Sequence, residues 1–225
     1  YTKRQSDVIL REMSIQTGDV YNPEMIRRTD EDIALLGLFS RIEIIAVPNP
    51  AKQQVKDIRI VVVETKPGFG ELGFGGAYEE PRFRARSFFS IAYRNLMGLN
   101  QTASARTELT LPFSTRDKFI PFLEYSAVLG YRAPYPFELP FNFVAQAGLD
   151  SFEIATDANG QQSTVQTRAR IEERVERKFS RVITAFYRLH RYEHTTTESI
   201  PPDPASPTAR EVIGSTGPGL LVDFR

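Results

Sequence analysis

Hydrophobic and polar residues alternate along the chain from about Gly68 to Arg225. Between residues 103 and 111 every odd position is Ala, Thr or Leu, whereas Ser104, Arg106 and Glu108 stand between them. Successive side chains of a strand point to opposite faces, so this pattern predicts strands with one face suited to lipid and one suited to water. The pattern is typical of a β-barrel wall. The predicted strands cover about 69–78, 83–95, 101–113, 119–132, 140–150, 164–176, 181–193 and 218–225.

The first 66 residues have a different pattern, which predicts an α+β domain. A capping box at Thr2 precedes a short helix to about Ser14, and Asn22-Pro23 begins a second helix that ends at Gly37. Two strands follow, at 41–47 and 55–64. Two strands under two helices make a thin sheet, so we expect a third strand before Tyr1.

The order of these elements resembles a POTRA domain. The resemblance rests on three short sequence segments, at 17–21 (TGDVY), 35–39 (LLGLF) and 63–68 (VETKPG). It extends into the strand region, where 70–78 (GELGFGGAY) and 94–100 (RNLMGLN) resemble the first barrel strand and first periplasmic turn of the BamA/TamA outer-membrane assembly superfamily. The sixteen-strand barrel of that family and its Arg-Gly-Phe or Arg-Gly-Tyr motif are not completed within this chain.

The resemblance implies a fold and a location. Residues 1–66 would be a POTRA domain, two helices on a small sheet without its first strand. Residues 67–225 would be about eight antiparallel transmembrane strands, half of a sixteen-strand barrel. The chain would lie in the bacterial outer membrane with the POTRA domain in the periplasm. The long connections 151–163 and 194–217 would then face outward and the short turns 96–100, 133–139 and 177–180 inward, as in outer-membrane barrels.

Composition narrows the possible functions. Lys+Arg and Asp+Glu are both 28, so no net charge favours nucleic acid as a partner. Cysteine is absent, which excludes disulfides, thiol catalysis and thiolate metal sites. Since no run of about 18 uncharged apolar residues occurs, only closed β-structure could cross a bilayer. We predict no cofactor, no metal and no enzymatic activity.

Charged residues dominate the other face of the predicted strands. Closing eight strands into a small barrel would bury these charges, whereas a wide aqueous lumen would hydrate them, so half of a larger barrel is favoured. The predicted lumen-facing charges are Arg84, Arg86, Arg94, Arg106, Glu108, Arg168, Arg170 and Glu172, with Glu124, Arg132, Arg174 and Glu176 on the same face.

Function follows from the resemblance rather than from a chemical motif. In the family the first barrel strand meets the last at a weak seam that opens and templates an incoming strand. The corresponding residues here are Gly70, Glu71, Leu72, Gly73, Phe74, Gly75, Gly76, Ala77 and Tyr78. The glycines would lower the packing across the seam and expose backbone groups for β-augmentation. In the POTRA domain the edge strand with Arg41, Ile42, Glu43, Ile44 and Ile45 could add extended segments of clients or accessory proteins.

The leading hypothesis is a factor that inserts β-barrel proteins into the outer membrane or exports passenger segments. Its partners would be outer-membrane lipid, client β-barrel or secreted proteins, and periplasmic or inner-membrane accessory proteins. The alternatives are a two-partner secretion transporter, a passive channel or receptor with a docking domain, and a barrel anchor for an enzyme encoded upstream.

Three motifs imitate other sites. Residues 68–73 match the dinucleotide pattern G-x-G-x-x-G, but they continue in strand alternation instead of opening a helix. His190 and His194 would be about 13 Å apart along a strand, so a shared metal is disfavoured and His190 is predicted to face the lumen. Glu172-Glu173 and Glu176 stand among arginines, which favours a cross-strand charge ladder over paired catalytic acids.

Overall fold

The computed structural model describes residues 3–50, 52, 54–79, 82–114, 122–156, 162–179 and 182–223. These residues form two compact units, one with Tyr1–Gly68 and Arg94–Gln101 and the other with Phe69–Tyr93 and Thr102–Arg225. Among the described residues, no helix has the length and apolar character needed to span a membrane.

The amino-terminal unit contains two helices and a two-stranded sheet. Helices α1 (Lys3–Arg11) and α2 (Pro23–Leu35) precede strands β1 (Phe39–Pro48) and β2 (Lys56–Glu64), which pair antiparallel. The predicted order is confirmed, although α1 ends before Ser14. The predicted cap at Thr2 lies outside the described residues.

The boundaries of α2 have clear local causes. Asn22 is extended (φ −132°), and its side chain accepts a hydrogen bond of 2.9 Å from the Glu24 amide, so it caps the helix as predicted. Pro23 occupies the first turn, where its missing N–H costs nothing. After the helix, Gly37 has a φ of +66°, a conformation that glycine adopts without strain.

The core of this unit lies beside α2. Ile33 and Thr29 are fully buried. Thr29 Oγ1 accepts a hydrogen bond of 3.0 Å from the Ser14 amide and donates one of 2.9 Å to the Met25 carbonyl. This single hydroxyl therefore joins the segment after α1 to α2.

The second unit is an eight-stranded antiparallel sheet in sequential order from β3 to β10, so the predicted number of strands is confirmed. In the described residues β3 and β10 each have one neighbouring strand, and the sheet is open. Its strands are β3 (Gly68–Glu79), β4 (Arg82–Leu96), β5 (Gln101–Ser114), β6 (Glu124–Pro134), β7 (Asn142–Thr156), β8 (Ser163–Lys178), β9 (Ile183–Ile200) and β10 (Ala209–Val222).

Several strands are longer than predicted. The expected long loop at 151–163 is mostly strand, because β7 continues to Thr156 and β8 begins at Ser163. The expected loop at 194–217 shrinks to residues 201–208. The run of β-branched threonines at 195–197 favours strand over loop, which explains the extension of β9. Residues 119–121, 157–161, 180–181 and 224–225 of the predicted strands and connections lie outside the described residues.

The sheet has an apolar face and a charged face. On the apolar face Ile171 of β8 lies opposite Ala147 of β7 and Tyr192 of β9. On the charged face the next residue, Glu172, lies opposite Gln146 and Arg191. The predicted division into two faces is therefore present in the register of the described strands.

A bulge in β9 breaks the alternation. Glu173 pairs with His190 and Arg174 pairs with Arg188, so Leu189 is an extra residue on β9. The extra residue moves His190 to the face of Ile171 and Tyr192, which is the apolar face. The prediction that His190 faces the lumen side was wrong, because strict alternation does not allow for a bulge.

Candidate functional site along β3

The predicted seam residues 70–78 all lie in β3. Leu72, Phe74 and Tyr78 alternate along it and are 62%, 80% and 63% exposed. One flank of β3 is bonded to β4, and the other flank has no strand partner in the described part of the chain. An unpaired flank presents N–H and C=O groups that can pair with another extended segment. β3 thus combines a free backbone edge with exposed apolar side chains.

Two of the predicted seam glycines accommodate aromatic rings of β4. A Cβ at Gly73 would lie 2.1 Å from Cε1 of Phe88, and one at Gly76 would lie 2.5 Å from Cζ of Phe83. A Cβ at Gly75 would meet nothing within 4 Å. Gly73 and Gly76 therefore allow close packing against the neighbouring strand, a role that sequence reasoning missed.

The predicted edge residues of the amino-terminal unit, 41–45, lie in β1. Arg41 pairs with Val63 and Ile45 pairs with Arg59 of β2. The other flank of β1 has no strand partner among the described residues. Arg41 and Glu43 form an exposed ion pair of 3.4 Å.

A groove of about 1170 Å³ lies between α1 and β2. Ile9 and Met13 line one side, Ile58, Ile60 and Val62 line the other, and no residue of β1 takes part. The lining also includes polar residues, among them Asp19, Lys56 and Asp57. The third strand before Tyr1 stays a prediction.

Asp150 contacts two of the predicted lumen-facing arginines on the charged face. Its carboxylate accepts hydrogen bonds from Arg168 Nε at 3.1 Å and from Ser126 Oγ at 3.2 Å, and Arg170 Nη2 is 3.6 Å away. Arg168 also pairs with Glu193 at 3.8 Å. Asp150 is 7% exposed, so it is the most enclosed carboxylate of this group.

Sequence reasoning missed Asp150 and Glu193. Asp150 was placed at the last position of its predicted strand, where a face is hard to assign. Glu193 lies beyond the β9 bulge, so its odd position appeared to be on the apolar face. Its pairing opposite Arg170 shows that it belongs to the charged face.

A second network surrounds Glu172, another predicted residue. Arg174 donates to Glu172 at 3.1 Å and to Glu176 at 3.4 Å, and Arg188 Nε lies 3.7 Å from Glu172. Arg132 of β6 pairs with Glu176 at 3.4 Å. The predicted charge ladder is therefore present for Glu172 and Glu176, whereas Glu173 lies on the opposite face, across from His190.

The remaining predicted charges are more peripheral. Arg84 pairs with Glu124 at 3.6 Å, and Arg106 pairs with Glu108 at 3.9 Å. Arg94 belongs to the amino-terminal unit, where its amide donates to the Pro67 carbonyl at 2.7 Å. A recess of about 320 Å³ on the charged face is lined in part by Arg86, Glu108, Glu124, Asp150 and Arg168.

The motifs that imitate other sites have structural roles here. Residues 68–73 form the first half of β3, in agreement with the strand interpretation. His190 and His194 lie on β9, opposite Glu173 and Ala169. In the described ranges, no group of three or more His, Cys, Asp or Glu side chains is arranged to hold a metal ion.

Comparison with known proteins agrees with this architecture. Residues 2–65 match the POTRA family model, described as surface antigen variable number repeat. The amino-terminal segment is a POTRA domain. The chain is also 31% identical over 104 residues to the outer membrane protein assembly factor BamA of Nitratidesulfovibrio vulgaris strain Hildenborough, covering 45% of this chain and 12% of that protein.

A solved structure extends the likeness across the sheet. The crystal structure of Haemophilus ducreyi BamA lacking POTRA domains 1–3 superposes with a TM-score of 0.63, at 12% identity, over 95% of this chain and 40% of that chain. The POTRA domain thus has BamA-like relatives, and the fold of the strand region matches the BamA barrel. The family resemblance inferred from sequence is confirmed. The chain spans only a minor part of either relative.

Proposed function

We propose that this chain is part of a BamA-type outer-membrane factor that inserts β-barrel proteins by templating their strands on β3. The observation that carries the proposal is that one flank of β3, beside exposed Leu72 and Phe74, has no strand partner among the residues that the structure describes. The relationship to an assembly factor supports the class of function. The chemistry required is only backbone hydrogen bonding, which an unpaired strand edge supplies.

The two faces of the sheet support a membrane location in this proposal. The apolar face would contact lipid, and the charged face would line a hydrated lumen in which the ion pairs around Asp150 and Glu172 need no full desolvation. Residues 67–225 would then form half of a sixteen-strand barrel in the outer membrane. Residues 1–66 would be the periplasmic POTRA domain.

The POTRA domain would guide extended segments toward the barrel. The flank of β1 that has no strand partner in the described ranges, at residues 41–45, is suited to β-augmentation by a client or by an accessory protein. No catalytic step is part of the proposal.

Photocrosslinking in the full-length protein tests the proposal. A photoreactive residue replaces Leu72 on β3, and the control variant carries it at Leu129 of β6. Both leucines are similarly exposed, at 62% and 60%, but β6 has strand neighbours on both sides. Templating requires that C-terminal strands of nascent barrel proteins be captured at Leu72 and not at Leu129.

Two other outcomes would contradict templating. Capture of only the protein's own last strand at Leu72 would indicate a closed seam, as expected for a passive channel or receptor. Capture of a single secreted protein by a third variant, with the photoreactive residue at Glu108 on the charged face, and no capture at Leu72 would indicate a two-partner secretion transporter.

A further inference from the structure

Gly73, Phe88 and Arg106 form a stack across three neighbouring strands. Gly73 lies on β3, Phe88 on β4 and Arg106 on β5. The Phe88 ring occupies the space that a side chain at position 73 would need, because a Cβ there would be 2.1, 2.5 and 2.9 Å from three ring carbons. The Arg106 guanidinium carbon lies 4.6 Å from the ring centre, within the range of a cation–π contact.

The same arrangement occurs at the other side of the sheet. A Cβ at Gly219 of β10 would lie 2.1 Å from Cζ of Phe186, which is directly opposite it on β9. Arg174 of β8 and Arg188 of β9 lie 6.0 and 5.9 Å from the centre of that ring. Each outermost strand thus contributes a glycine, the next strand a phenylalanine, and an arginine contacts the ring.

The stack should stabilise the attachment of β3 to β4. A strand with one bonded flank has half the backbone hydrogen bonds of an interior strand, and glycine gives it additional conformational freedom when it detaches. A ring from β4 that covers the glycine restores side-chain contact between the two strands. The contact lies on the charged face, so it leaves Leu72 and Phe74 on the other face unobstructed.

We propose that Phe88 is a positioning residue that holds β3 on β4 while the outer flank of β3 is open. β3 then stays an ordered template, and only the seam on its other side separates. The inference rests on the proposed function for its consequence in client binding, but the hold on β3 is measurable without any client.

The test is amide hydrogen–deuterium exchange of residues 70–78 in the full-length protein in bilayers, with no client present. Phe88→Ala should raise the exchange rates of those amides that bond to β4 roughly tenfold. Phe89→Ala is the matched control, because Phe89 is on the same strand but is 50% exposed, and it should leave them within about twofold. Equal rates in wild type and Phe88→Ala would overturn the proposal.

Phe88→Ala removes every contact of the ring, including those that do not involve Gly73. A pair of glycine variants tests the contact with Gly73 separately. Gly73→Ala should speed exchange, because its methyl group displaces Phe88, whereas Gly75→Ala should not, since nothing lies within 4 Å of its Cβ position. In the double variant Gly73→Ala/Phe88→Ala the methyl group takes part of the ring's space, so exchange should be slower than in either single variant. Additive effects in the double variant would contradict direct packing.

Crosslinking then links the stack to function. In Phe88→Ala, client capture at Leu72 should fall several-fold, and Phe89→Ala should leave it unchanged. Faster exchange with undiminished capture would overturn the positioning role. If wild type captures no client, the proposed function fails, whereas the exchange results still decide whether Phe88 holds β3.

Discussion

Glu173 and His190 lie directly opposite each other on β8 and β9, on the apolar face of the sheet. Ala145 lies opposite Glu173 on its other side. A polar pair in an otherwise apolar row is costly if that row contacts lipid. The pair therefore offers a direct check on which face of the sheet meets the membrane.

Replacing neighbouring glutamates by leucine should have opposite effects on the free energy of unfolding in lipid vesicles. Glu173→Leu should raise it by about 1–2 kcal/mol if the apolar face contacts lipid, because it removes a carboxylate from that face. Glu172→Leu should lower it by about 1–3 kcal/mol, because Arg174 and Arg188 lose their shared carboxylate. Urea titration of both variants provides the measurement. Destabilisation of similar size in both would refute the assignment of faces.

Asp150 should be the most sensitive carboxylate on the charged face. Asp150→Asn keeps the shape but removes the charge that faces Arg168 and Arg170, so we expect a loss of about 1–3 kcal/mol in the free energy of unfolding. Glu108→Gln is the control. Its pair with Arg106 is 3.9 Å long and both side chains are well exposed, so its loss should be below about 0.5 kcal/mol. Equal losses in denaturant titrations would argue against a special role of Asp150.

Thr29 should show the cost of a lost buried acceptor in the POTRA domain. Thr29→Val preserves the volume but leaves the Ser14 amide without the hydroxyl that accepts its hydrogen bond. We expect destabilisation of this domain by about 1–2 kcal/mol, measured by exchange of the α2 amides in the full-length protein. Thr29→Ser keeps the hydroxyl and serves as the control, with retained protection of the Ser14 amide. An unprotected Ser14 amide in wild type would contradict the hydrogen bond.

Two carboxyl groups of the POTRA domain should have pKa values on opposite sides of the usual value of 4.5. Burial raises the pKa of Glu12, with Arg11 acting against it and Asp32 adding to it. A raised folded-state pKa means that stability is lost as the pH rises through the interval from the unfolded to the folded value. Glu12→Gln removes this carboxyl, so the free energy of unfolding should fall less as the pH rises above the pKa that Glu12 has in the unfolded state.

Glu24 should show the reverse behaviour. A hydrogen bond from Arg27 lowers the pKa of Glu24, so its stabilising contribution is present above the unfolded pKa and is lost as the pH falls through the folded one. Carboxyl ¹³C chemical shifts of both residues over a pH titration give the two pKa values. Shifts of both pKa values in the same direction would show that burial and Arg27 do not act as the structure indicates.

Local sequence signals predicted a large part of this fold. Asn22 and Pro23 begin α2, and Gly37 follows its end, because capping depends on residues within one turn. Alternation likewise separates Ile171 from Glu172, since side chains of a regular strand point to opposite faces.

The features that sequence reasoning missed depend on strand register. The Phe88 ring covers Gly73 although the two residues belong to different strands, and composition alone suggested only a poorly packed seam. Glu193 joins Arg168 because Leu189 adds one residue to β9. Register is a property of paired strands, so neither contact is visible in one segment of sequence.

The extra residue in β9 changes which residue numbers lie on the charged face. Before Leu189 the even-numbered residues Phe186 and Arg188 lie on the charged face, whereas after it the odd-numbered residues Arg191 and Glu193 do. Deleting Leu189 would therefore place Arg188, His190 and Arg191 in regular alternation, with Phe186, Arg188, Arg191 and Glu193 still on the charged face. A chain without Leu189 should keep the same residues on each face of β9 and lose only the local bend and extra twist that a bulge adds.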